Sequence, residues 1–112
     1  MEKKIVEYNY VTGHLSNVLS HLKMSVGLLL SYNKEVKVGI TGRDPQDRFD
    51  EHLKNYDWDR MVVKYVTSSD KNANALEDYL IEHYPQLVNK WIGTSNLSQD
   101  GYNYLYILLK KE

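Results

Sequence analysis

The sequence predicts an α+β domain: a small, mainly antiparallel sheet of three core strands plus edge strands, flanked by helices, with an N-terminal arm and helix. Three observations predict it. Short apolar runs alternate along the chain with stretches whose apolar residues recur every three or four positions. Strong helix-start punctuation stands at Gly42-Arg43-Asp44-Pro45. The length, 112 residues, suits one domain with one core and little more.

Ile5 to Val11 alternates Ile5, Glu7 and Asn9 against Val6, Tyr8 and Tyr10, the period of a short strand or extended arm. Thr12-Gly13 breaks it. From Leu15 to Met24, Leu15, Val18, Leu19 and Leu22 fall at helical spacing, which predicts an amphipathic helix. Ser25 to Ser31 and Val36 to Thr41 are two apolar runs separated by Tyr32-Asn33-Lys34-Glu35, a pattern that predicts a β-hairpin. Gly39 inside the second run implies a bulge or close backbone approach. Asp44 as N-cap and Pro45 at the first helical position start a helix running to about Tyr56. Arg60 to Thr67 reads as a strand, and Lys71 to about Tyr84 as a helix stopped before Pro85. A polar loop over Gly93 to Gly101 and a closing strand over Tyr102 to Leu109 complete the chain. The organisation expected is an arm and helix over 1–24 and a second unit over 25–112.

Composition excludes several chemistries. The chain has no cysteine, so a disulfide scaffold, a thiolate zinc site and a cysteine nucleophile are all ruled out. The net charge of −1 leaves no global field to attract phosphate, so nucleic acid must be met by a local basic patch. The longest uncharged, mainly apolar run, Met24 to Tyr32, is far short of the roughly 20 residues of a membrane span. The N-terminus has no apolar stretch fit for a secretory signal. The expectation is a soluble protein of the cytoplasm of a bacterial cell, or of a host cell if the gene is viral, with no membrane partner.

One carboxylate is out of place. On the Lys71–Tyr84 helix, Ala73, Leu76, Leu80, Ile81 and Tyr84 form the apolar stripe, and Glu77 falls inside it. A carboxylate on a packing face costs several kcal/mol unless a cation, a metal or a hydrogen-bond donor meets it. Arg48 and His52, four apart on the Pro45 helix, lie on one edge beside Phe49 and Leu53. Arg48 is a long cation able to grip phosphate, or else a surface partner of Asp44 or Glu51. His52 is expected as a proton carrier near neutral pH. Both helices must pack on one sheet, which brings the three residues into one set. His14, His21 and His83 show no metal-ligand spacing, and Gly39 to Gly42 is too short for a phosphate loop.

In its order of elements the chain resembles the GIY-YIG nuclease domain. Lys37-Val38-Gly39-Ile40-Thr41 sits where the second signature tripeptide would end, and Asp47 to His52 is similar to the Arg-helix motif. Ala75 to Ile81 followed by Pro85 to Asn89 looks like the Glu helix and the Asn segment beyond it. The resemblance covers about Val26 to Leu109. It departs at both signature tyrosines: the first falls on Leu29, the second on Lys37.

The resemblance implies a Mg²⁺- or Mn²⁺-dependent endonuclease acting on nucleic acid, DNA rather than RNA, with a homodimer allowed for. Glu77 would hold the metal, Arg48 would stabilise phosphate charge, Lys37 or His52 would orient or deprotonate the attacking water, and Asn89 would steady Glu77. Tyr8, Tyr10 and Tyr32 are the candidate replacements for the missing hydroxyls. The alternative is a degenerate member of the same family that binds nucleic acid or a protein without cleaving.

Overall fold

The structure is a computed structural model that describes residues 5–88 and 101–111. In chain order the elements are β1 (Ile5–Val11), α1 (Leu15–Tyr32), β2 (Glu35–Thr41), α2 (Pro45–Leu53), β3 (Arg60–Thr67), α3 (Asp70–His83) and β4 (Asn103–Lys110). The four strands form one sheet in the order β1-β3-β4-β2. β4 pairs antiparallel with both β2 and β3, and β1 joins β3 in parallel. The α+β architecture and the mainly antiparallel sheet are those expected.

The hairpin predicted over residues 25–41 does not form. Residues 25–31 continue α1, an 18-residue helix whose buried Val18, Leu22 and Val26 keep a spacing of four. Beyond Val26 the run is leucine, a good helix former that lacks the branched Cβ favouring strands. Gly27 lies in this helix where α3 comes close: a Cβ there would stand 2.9 Å from the Tyr84 hydroxyl, which donates to the Lys23 carbonyl at 2.7 Å. Asn33 leaves the helix in an extended conformation and its amide donates back to the Leu29 carbonyl at 2.9 Å. The division expected between residues 24 and 25 therefore falls inside α1, between two residues of the same buried stripe. β1 likewise belongs to the common sheet rather than to a separate arm.

Alternation along β4 defines the two faces. Leu105, Ile107 and Leu109 pack with Val36, Val38 and Ile40 of β2 under α1 and α3, through Leu22, Val26, Leu76 and Leu80. Tyr106 and Leu108 point the other way and pack with Met61, Val63, Trp58 and Phe49 of α2. Thus α2 covers one face, and α1 with α3 the other. Both helices that carry the expected site are firmly started. Asp44 caps α2 by accepting from the Gln46 amide, and Ser69 caps α3 by accepting from the Asn72 amide.

Candidate active site

The site forms around β2, which is an edge strand. Residues of β2 that pair with Tyr106 and Leu108 of β4 share their face, so Lys37 and Gly39 look towards α2. Arg48 and His52 descend from α2 onto the same place. Glu77 comes from the opposite face on α3, buried with Ala73, Leu76 and Leu80. The two helices pack on one sheet but on opposite faces. Lys37 feels both the Arg48 cation and the Glu77 carboxylate, and so does Tyr106.

Glu77 is 6% exposed, and its Oε1 is a buried atom with no hydrogen-bond partner among the described residues. Burial, with a smaller contribution from Asp78, pushes its pKa up to about 7, against the pull of Lys37. Burial and the neighbouring Arg48 hold the Lys37 ammonium below its ordinary pKa, with Glu77 partly offsetting them. Burial, Arg48 and Lys37 together lower His52 to about 4, Glu51 alone opposing. The lowered pKa favours the uncharged imidazole near neutral pH.

The residue that sequence reasoning missed is Tyr106. It is 2% exposed, and its hydroxyl lies 2.7 Å from His52 Nε2. The Arg48 guanidinium is close enough for its charge to act on the same phenol. The phenol and the His52 ring share one hydrogen bond, whose direction is set by the imidazole tautomer. Burial raises the Tyr106 pKa, and Arg48 only partly offsets it, so the phenol stays protonated. The ring lies directly over Gly39, where any Cβ would overlap it. The sequence carries one signal for this: a glycine inside a strand asks for a close neighbour, and the terminal strand is rich in tyrosine.

The other expected residues are distributed as follows. Leu29, on α1, packs against the core under α1 and α3, the face opposite α2. Tyr8 and Tyr10 are exposed on β1, the opposite edge strand, and Tyr8 sits beside Asp44 and Tyr104. Tyr32 is exposed at the end of α1. His14 caps α1 through its ring nitrogen, and His83 stacks on Tyr79 with its edge to Tyr84. Asn89 lies outside the described residues, as does most of the polar loop expected over 93–101. Arg48 Nη1 donates to Glu51 Oε1 at 3.0 Å, so the surface pairing foreseen for it does form, and Arg43 shares that oxygen.

Among the described residues no group of three or more His, Asp or Glu side chains could hold a metal. The donor present is a single carboxylate with an unpartnered oxygen. That fits Mg²⁺ or Mn²⁺, hard cations that keep several waters and take one or two carboxylates together with substrate phosphate oxygens. No helix among the described residues is long and apolar enough to cross a membrane. No family model, curated protein or solved structure matches the chain.

Proposed function

We propose that the chain is a divalent-metal-dependent nuclease that hydrolyses phosphodiester bonds in nucleic acid, built on a rearranged GIY-YIG-like plan. The observation that carries this reading is the buried, unpartnered Glu77 oxygen near Lys37, an ammonium that also feels the Arg48 guanidinium. The resemblance calls for a strand antiparallel to β2 that brings a tyrosine to the site. Residues 25–31 do not supply it; β4, from the other end of the chain, does, with Tyr106 paired to Gly39. Lys37 and Tyr106 are then the groups standing where the two signature tyrosines are missing.

A metal bound at Glu77 would stabilise charge on the phosphate and the leaving oxygen. Arg48 donates to the same developing charge. Lys37, with its pKa lowered, orients the attacking water or accepts its proton. His52 acts through Tyr106, whose hydroxyl it holds by a hydrogen bond.

The test is cleavage of plasmid, linear duplex, single-stranded DNA and RNA in Mg²⁺ or Mn²⁺. The reading expects cleavage that a chelator abolishes and that Glu77→Gln or Arg48→Ala lowers by about 10²–10³-fold, the loss typical of one transition-state contact. Cleavage that survives both chelation and Glu77→Gln would overturn it. A second reading, a module that binds without cleaving, is favoured by the burial of Tyr106, whose hydroxyl is already committed to His52. Tight binding with no cleavage under any of these metals would establish that reading instead.

A further inference from the structure

Arg43 stands in the short connection between β2 and α2, its backbone N–H donating to the Thr41 hydroxyl at 3.1 Å. Its side chain is half exposed and points along α2 to Glu51. Glu51 Oε1 receives Arg43 Nη2 and, at 3.0 Å, Arg48 Nη1. One carboxylate oxygen therefore holds two guanidinium groups that would otherwise repel. The nearby carboxylates are occupied elsewhere: Asp44 accepts from the Gln46 amide and Asp50 from the Gln46 side chain. The seat between Arg43 and Arg48 is thus built for an anion, and the anion now in it is 40% exposed and replaceable. Exposed pairs of this kind contribute little, so exchanging the carboxylate for a phosphate is cheap.

We infer that Arg43 and Arg48 form a seat for a backbone phosphate of nucleic acid and that Glu51 occupies it until the strand arrives. The inference rests on the nuclease reading, which puts Arg48 at the phosphate being cleaved. Arg43, further out towards solvent, then meets the next phosphate along the strand, and Glu51 acts as an internal competitor for both.

The experiment measures binding of the full chain to a fluorescein-labelled DNA oligonucleotide, single-stranded and duplex, without metal, across a range of salt concentrations. Loss of one phosphate contact lowers the slope of log K against log salt by about 0.7 for single strands and 0.9 for duplex, and Arg43→Gln is expected to show that loss. Glu51→Gln is expected to bind roughly two- to fivefold more tightly, the worth of an exposed ion pair removed from competition. Tightening cannot come from a misfolded variant. An unchanged slope for Arg43→Gln, weaker or unchanged binding by Glu51→Gln, or no binding by the wild type would each overturn the seat. Metal-dependent cleavage with an unchanged Arg43→Gln slope would overturn the seat alone. The expected binding changes without cleavage in Mg²⁺ or Mn²⁺ would overturn catalysis and leave the seat standing.

Discussion

Gly39 and Tyr106 form one cross-strand pair, and neither can change alone. Gly39→Ala puts a methyl group into the Tyr106 ring, so it should cost about 1–3 kcal/mol, as overpacking does. Pairing it with Tyr106→Val should recover much of that loss in a double-mutant cycle measured by urea unfolding. Two titrating neighbours carry opposite signs. Glu77 has a folded pKa raised from 4.5 to about 7, so its contribution to stability is full below pH 4.5 and lost as pH rises through 7. His52 is depressed from 6.5 to about 4, so its contribution is full above pH 6.5 and lost as pH falls through 4. Each is on the order of 3 kcal/mol, and between pH 4.5 and 6.5 they cancel. Metal-free wild type should therefore show a nearly flat stability in that window. Glu77→Gln should become more stable as pH rises there, and His52→Gln less stable; parallel profiles for all three would refute the assignment. Glu77 itself is legible in the sequence, because a carboxylate on an apolar stripe breaks a local pattern. Tyr106 is not, because nothing local distinguishes it from Tyr102 or Tyr104.

At the scale of elements, α2 is the piece that aims Arg48 and His52, and its direction depends on a cap at one end and one aromatic anchor. Asp44→Ala should cost about 1 kcal/mol through the lost cap. Phe49→Ala, at a fully buried ring, should cost about 3–5 kcal/mol. Thermal unfolding checks both. The sequence alone carries the signals for these elements: Asp44-Pro45 at the start of α2, Ser69 before α3, the apolar run of β3. Residues 25–31 are ambiguous, because their density of apolar side chains suits a buried strand and a buried helix equally. Only the packing of Val26 with Leu22 and Val18 on one helical face decides between them. A hairpin would place the partner of β2 next to it in the chain. That place is held by β4, and a pairing between distant segments leaves no periodicity for a local reading to find.

Across the whole molecule, the proposed site depends on two helices on opposite faces of one sheet placing Arg48 and Glu77 near Lys37 of β2. A net charge of −1 gives the molecule no long-range attraction for nucleic acid, so the affinity that the proposed function requires has to come from Lys37, Arg43 and Arg48. The central claim is this convergence, with Glu77 as the metal ligand. Its most direct test is a titration of the ¹⁵N-labelled chain with substoichiometric Mn²⁺, whose paramagnetism broadens nearby amide signals. Signals from the β2 segment around Lys37, from α2 around Arg48 and from α3 around Glu77 should broaden together and first, with those of β1 unaffected, and Glu77→Gln should abolish the effect. Broadening confined to α3, or broadening that persists in Glu77→Gln, would contradict it.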